Sequence, residues 1–417
     1  MDIFAASYVL PISSPPIAGG AIAVNNSLIV DVGPLDRLKG AHGGMVREFP
    51  GCVIMPGLVN AHTHLELTHF PSWKLRKGID YSPRTYVDWL IQVGKVRRAL
   101  TRDELIHSVR EGLRKSLESG TTSIGEIVTD QSLLPLYHES PPSGRLFCEA
   151  IGHDPVRCAA FLSSAEELLS SSRHDRLLPG LSPHAPHTLS SSFMQEVSAL
   201  AARHSVPAVI HVAESREEVL FIHDSSGKIS EVLYPFVGWA SYIPLPRRAT
   251  PVGYLDSLGV LNSMTTAIHC VHVTQADAEI LKQRNVAVVL CPRSNDRLAV
   301  GRAPVAILKK TGVALALGTD SLASNDSISM WDEMRFLLKE FPGVFTPDEV
   351  LRMATAGGAH ALSMDGETGA LDKMKRADFL VVRPTHIPSV ELLSETLIGD
   401  SHLEMVFIGG EPLSLDN

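Results

Sequence analysis

The 417-residue chain has only five cysteines, Cys52, Cys148, Cys158, Cys270 and Cys291, and no two are spaced C-x-x-C. An odd count without paired spacing excludes a disulfide framework and a cysteine-based zinc site, and predicts reduced, buried thiols in a cytoplasmic protein. Long apolar runs are also missing. Stretches such as Val286–Leu290 and Val313–Leu317 fall far short of the ~20 residues a membrane span needs. Met1–Leu10 lacks the basic flank of a secretory signal. Cations are in deficit, with 37 Lys and Arg against 46 Asp and Glu and a net charge of −9. A general nucleic-acid binder needs the opposite balance to neutralise phosphates. There is no G-x-G-x-x-G, no Walker A and no G-x-S-x-G, so dinucleotide, phosphoryl-transfer and α/β-hydrolase chemistry lack their motifs. What is present is an ordinary globular composition, 44% hydrophobic and 20% charged, with 18 histidines of which several are clustered.

The chain reads as three segments. Residues 1–55 are short apolar runs broken by turns. Ala21–Val24 and Ser27–Gly33 flank Asn25-Asn26, a hairpin signal. Residues 366–417 repeat the pattern with Phe379–Val382 and Met405–Ile408, so the two ends are expected to meet in one small β-sandwich. Between them, residues 56–365 alternate strands with helices. The candidate strands are Cys52–Met55 leading into Val59–Ala61, Thr122–Ile127, Phe147–Ile151, Leu177–Leu181, Ala208–Val212, Thr266–His269, Ala287–Leu290 and Ala314–Leu317. Helix starts are marked by Thr101-x-x-Glu104, Thr274-x-x-Asp277 and Thr346-Pro347-Asp348-Glu349. Eight βα units predict an α/β fold with a parallel (β/α)8 barrel, a doubly wound sheet being the rival. Two connections, Leu65–Leu100 and Glu214–Met264, are too long for a loop plus a helix, and insertions after barrel strands usually cover the active site.

Four constellations carry chemistry. In Asn60-Ala61-His62-Thr63-His64, residues i and i+2 of a strand face the same way, so two imidazoles project side by side and suit a borderline metal such as zinc. The alternative is a pair of bystanders. His211-Val212-Ala213-Glu214 offers a third nitrogen, with Glu214 as a proton shuttle or, on the other reading, a helix N-terminal acid with Glu217 and Glu218 as solvated companions. Gly318-Thr319-Asp320-Ser321 supplies a carboxylate as a ligand or as an N-cap. Ile268-His269-Cys270-Val271-His272 supplies an imidazole that polarises the group under attack or adds a metal nitrogen, while His272 also reads as loop packing. His184, in the Pro-flanked loop that also holds His187, reads as a substrate contact. Arg293 and Asn295 either hold a polar ligand or pin their loop, and Glu66 either accepts from substrate hydroxyls or is a surface acid.

In this order, Met55-Pro56-Gly57-Leu58-Val59-Asn60-Ala61-His62-Thr63-His64, His211 with Glu214, His269, and Leu317-Gly318-Thr319-Asp320-Ser321 resemble the amidohydrolase superfamily over essentially the whole chain. The resemblance implies a distorted (β/α)8 barrel with one divalent metal, zinc first and iron second. It implies His62, His64, His211 and Asp320 as ligands, Glu214 as proton shuttle and His269 as the polarising group. Binuclear members carry a carboxylated lysine on strand four; Leu177–His187 has no Lys, so a mononuclear site is expected. Cys291-Pro292-Arg293-Ser294-Asn295, Gly301–Pro304 and Ser324-Asn325 resemble the deaminase and chlorohydrolase branch. His62-Thr63-His64-Leu65-Glu66-Leu67 with Trp89 downstream looks closer to aminodeoxyfutalosine deaminases of menaquinone synthesis, while the usual S-adenosylhomocysteine type tends to have His-x-His-x-x-Met, which this chain lacks. The implied reaction is hydrolytic deamination of an aminopurine nucleoside. The alternatives are a chlorohydrolase, a cyclic amidohydrolase or a metal-free scaffold protein. A benzoate-bearing substrate would want a cation, for which Arg145 and Arg293 are the candidates. The expected partner is a small molecule, with no nucleic acid or membrane, and the expected assembly is a homodimer.

Overall fold

The computed structural model describes residues 1–171 and 176–413, so the end of the C-terminal segment, from residue 414, lies outside the described residues. Eight parallel strands run in sequence order: Leu58–Thr63, Thr121–Val128, Ser143–Ala150, Leu177–Pro183, Ala208–Val212, Thr265–His269, Ala287–Leu290 and Leu315–Leu317. The edges meet through a parallel bridge between Thr63 and Asp320, which closes the sheet into a barrel. The side chain of Asn60 holds the same seam. Its Nδ2 donates to Thr319 Oγ1 at 2.7 Å, and its Oδ1 accepts from the Thr319 N–H at 3.1 Å.

One expected strand divides. Cys52–Met55 does not lead the first barrel strand but ends the long strand Met45–Pro56, which pairs antiparallel with Phe379–Pro384 from the other end of the chain, Met55 opposite Leu380. The chain leaves that sheet at Pro56-Gly57 and enters the barrel at Leu58. Glycine is required at position 57 because a Cβ there would lie 1.9 Å from Thr122 Oγ1. The third barrel strand starts earlier than its apolar residues suggested. Ser143 and Arg145 are polar but satisfied inside the barrel floor, Ser143 by Ser123 and Arg145 by main-chain carbonyls.

The terminal strands form the second eight-stranded sheet, in the order Glu411–Pro412, Ser401–Ile408, Phe379–Pro384, Met45–Pro56, Asp2–Val9, Gly20–Asn25 and Leu28–Pro34, with Ile17–Ala18 on Asp2–Val9. Three strands apart in a flat sheet is about 14 Å. Phe4 and Phe407, three strands apart, have ring centroids 5.1 Å from each other. The sheet is therefore curled tightly over a core in which Phe379 stacks on Phe407 at 4.5 Å. Its hairpin turns at Asn26 and Ser27, both at positive φ (50° and 65°), as the right-handed twist of the flanking strands demands.

All three helix starts carry complete capping boxes, at Thr101, Thr274 and Thr346. The two long connections fold as helical excursions over the C-terminal end of the barrel. The first contains the helix Tyr86–Arg98, capped by the Thr85 side chain. Val87 and Ile91 of this helix pack into Phe221, Ile222, Ile229, Leu233, Tyr234 and Tyr254 of the second excursion. No described helix is long and apolar enough to cross a membrane.

Replacing Phe379 by Ala should remove about 3–5 kcal/mol through the cavity it leaves. An unfolding free energy from urea titration lowered by less than a tenth of that would contradict the stacked aromatic core.

Candidate metal centre and its cavity

The C-terminal ends of strands one, five, six and eight converge on one point. His62 and His64 project from the first strand with ring centroids 4.9 Å apart; His211 lies 4.8 Å and His269 5.9 Å from His62 by the same measure. Asp320 Oδ1 lies 3.7 Å from the Nε2 atoms of both His62 and His64. The backbone is bent to achieve this. His269 and Asp320 adopt φ of 70° and 58°, a left-handed conformation that non-glycine residues keep only where surrounding contacts hold them.

Several contacts aim the ligand atoms. His211 Nδ1 meets the His184 carbonyl at 2.9 Å, and His269 Nδ1 meets Asn295 Oδ1 at 2.9 Å, which leaves both Nε2 atoms facing the centre. Asp320 Oδ2 accepts from the hydroxyls of Ser294 (2.7 Å) and Ser324 (2.8 Å), so Oδ1 is the atom presented to the histidines. Burial pushes His64 down to about 4, and also lowers His184, His211 and His269, so these rings stand neutral with lone pairs available. Burial by itself would raise the Asp320 carboxyl, but the neighbouring His62, His64 and His269 outweigh it and hold it ionised.

The set fits a divalent cation. Two tetrahedral ligand atoms each about 2.1 Å from one zinc-sized ion stand about 3.4 Å apart, and the Asp320–histidine separations of 3.7 Å are a few tenths of an ångström wider. Among the described residues, His62/His64/Asp320 and His62/His211/His269 each bring their ligand atoms within 4.8 Å of one another. Both ring nitrogens of His62 are buried without a hydrogen-bond partner, and a ligated ion would remove that cost at Nε2, the atom that faces Asp320.

Glu214 sits beside this set, almost fully buried. Its Oε2 accepts from the Tyr86 hydroxyl at 2.7 Å, and its Oε1 lies 3.7 Å from His269 Nε2. Burial first, then the charge of Asp320, pushes its carboxyl up to about 8, although the Tyr86 bond pulls it down. Glu218 is no solvated companion. It is wholly buried and accepts the N–H groups of Ala213 (2.8 Å) and Glu214 (3.0 Å), fixing the turn on which Glu214 stands.

The cavity above the histidines is open to solvent and holds about 220 Å³ of space for small molecules. Tyr86, Trp89, Leu90, Val93, Gly94 and Arg97 form one wall, a single stripe of the helix Tyr86–Arg98. His184 lines the opposite side, with Nδ1 2.8 Å from Thr188 Oγ1 and Nε2 3.8 Å from Glu149 Oε1. That Glu149 oxygen is buried and has no hydrogen-bond partner.

Four expected substrate contacts lie elsewhere. Arg145 shares a strand face with Glu149 but sits four residues, about 13 Å, below it. Its guanidinium binds the carbonyls of Leu362, Pro179 and Ser363 at the barrel floor. Arg293 pins its loop, pairing with Asp326 and lying 5.8 Å over the Phe336 ring. Asn295 orients His269 rather than facing the cavity. Glu66 is neither a surface acid nor a hydroxyl acceptor. It is 1% exposed, takes the N–H groups of Thr129 and Asp130 on Oε1, and holds Arg97 at 2.5 Å on Oε2. His272 packs in its loop against the Val300 carbonyl at 2.7 Å. Sequence reasoning missed Tyr86, Arg97 and Glu149; the spacing 86, 89, 90, 93, 97 was the available signal for the first two.

The amidohydrolase family model matches residues 53–413. The chain belongs to the amidohydrolase family. A 5-methylthioadenosine/S-adenosylhomocysteine deaminase of Syntrophobacter fumaroxidans is 32% identical over 388 residues, 89% of this chain and 82% of the relative. Helicobacter pylori aminofutalosine deaminase in complex with methylthio-coformycin superposes with a TM-score of 0.87 at 23% identity, covering 99% of this chain and all of that one. A Xanthomonas campestris adenosine deaminase with bound zinc gives 0.79 at 27% identity, covering 99% and 92%. For this amidohydrolase, His62→Ala and Asp320→Asn should each reduce bound metal well below one equivalent by elemental analysis. Glu214→Gln should retain it. Removing the ion with a chelator should lower Tm, since ligation stabilises only the folded state; an unchanged Tm would contradict the site.

Proposed function

We propose that this amidohydrolase hydrolytically deaminates a 6-aminopurine nucleoside, with zinc held by His62, His64, His211 and Asp320. The observation that carries the reading is the buried Glu214, gripped by Tyr86 and facing His269 beside four groups fit to hold a cation. Neutral imidazoles with one carboxylate suit zinc, and the deaminase-named relatives supply the reaction class. When bound, the ion supplies Lewis acidity and makes a water nucleophilic near neutral pH.

The protein groups then move protons. Glu214 takes one proton from the attacking water and delivers it to the ring nitrogen beside the amino-bearing carbon, where it stays in the product. Asp320 takes the second and returns it to the amine, which leaves as ammonia, so water is consumed and one C–N bond is exchanged for a C=O. His269, held by Asn295, orients the water. His184 meets the purine and Glu149 Oε1 accepts from a sugar hydroxyl.

Ammonia release from adenosine, 5′-methylthioadenosine, S-adenosylhomocysteine and 6-amino-6-deoxyfutalosine tests the reading. Ring opening of a cyclic amide or chloride release, with no ammonia from any nucleoside, would overturn it. Glu214→Gln should cost about 10²–10⁴ in kcat. Tyr86→Phe removes a bond that lowers the Glu214 carboxyl, so the ionised base persists only at higher pH. The acidic limb of the kcat/KM profile should move upward in pH, and a shift the other way would contradict the Tyr86–Glu214 pairing.

A further inference from the structure

Beyond the reaction itself, the cavity has a cationic end. Among the described residues, Arg97 is the only lysine or arginine lining it. Its side chain is 26% exposed, and its partner Glu66 is 1% exposed. Glu66 engages a single guanidinium nitrogen, Nη2, and among the described residues Nε and Nη1 have no hydrogen-bond partner. A guanidinium has five N–H donors in a fixed fork that matches a carboxylate. The negative charge of Glu66 is shared with the Thr129 and Asp130 N–H groups at 2.9 and 3.1 Å, so it is not devoted to Arg97.

The position relative to the reacting end is set by a chain of contacts. Arg97 holds Glu66, and Glu66 holds the main chain of Thr129. Thr129 Oγ1 donates to Glu149 at 2.8 Å, and Glu149 faces His184 at 3.8 Å, the neighbour of His211. Arg97 thus stands at the far end of the cavity from Glu214, on the same helix whose first turn carries Tyr86. The surface between the two is apolar, built from Leu67, Trp89, Leu90 and Val93.

We infer that Arg97 selects nucleosides whose sugar bears an arm ending in a carboxylate, received by the free Nε and Nη1 donors while the arm lies along the apolar stripe. This rests on the deaminase reading and sharpens it. An uncharged short arm leaves the guanidinium donors without a ligand partner, so such nucleosides are poorer substrates.

The test compares kcat/KM for S-adenosylhomocysteine and 6-amino-6-deoxyfutalosine with that for 5′-methylthioadenosine and for the decarboxylated analogue of S-adenosylhomocysteine. The intact enzyme should favour each carboxylate over the uncharged arm of 5′-methylthioadenosine and over the cationic aminopropyl arm of the decarboxylated analogue, and Arg97→Met should cut the preference over 5′-methylthioadenosine about 10- to 100-fold, the loss of charge-assisted hydrogen bonds. Arg97→Lys should restore part of it. Because Arg97→Met leaves Glu66 buried without its cation, the double variant Arg97→Met/Glu66→Gln is read alongside and should show the same collapse. A merely structural Arg97 would lower both classes together and leave the ratio unchanged, which overturns the inference. So does an intact enzyme that prefers 5′-methylthioadenosine, and in both cases deamination itself stands. Absence of ammonia from every nucleoside instead fails the function on which the inference rests.

Discussion

The whole arrangement depends on one seam. Asn60 ties the first barrel strand to Thr319, and the Thr63–Asp320 bridge closes the cylinder. Residues 62 and 320 are brought within coordination distance only because this edge-to-edge contact forms. The hydrogen bonds are ordinary in strength; their leverage is geometric. A closed parallel barrel fixes where every strand ends, so four side chains at or within three residues of those ends reach one point.

Around that point the chain buries polar groups that would be costly alone. Neutral imidazoles, an ionised aspartate and a carboxyl pushed up to about 8 share one buried region. The environments of Asp320 and Glu214 drive their protonation apart, the pattern by which two neighbouring carboxyl groups take different tasks. The supporting layer of Ser294, Ser324, Asn295 and Glu218 makes this stable, since each fixes an atom that would otherwise turn away from the centre.

Much of this was legible in the sequence. The i, i+2 spacing of His62 and His64 at a strand end, the order of the other motifs, and the capping boxes at Thr101, Thr274 and Thr346 all follow local rules that tertiary contacts reinforce. The errors have a common physical origin. Period-two alternation says that Arg145 faces inward but not at what depth, and depth separates the barrel floor from its mouth. Arg293 and Glu66 were visible as charged residues near motifs, but their partners, Asp326 and Arg97, lie 33 and 31 positions away. Helix periodicity at 86–97 marks an apolar face without naming what it faces. The split of Cys52–Met55 from the barrel was hidden because a strand of the terminal sheet and a barrel strand are both continuous apolar runs.

The helix Tyr86–Arg98 bears on how this scaffold diversifies. The ion-holding atoms belong to the barrel, but much of the opposite wall is lent by a segment outside it, anchored by Val87 and Ile91 to the second excursion. Redrawing a few positions on that one segment alters what fits without disturbing the chemistry beneath. Inheritance can therefore conserve the engine while swapping the mould, and chains that share every ligand can still diverge in diet.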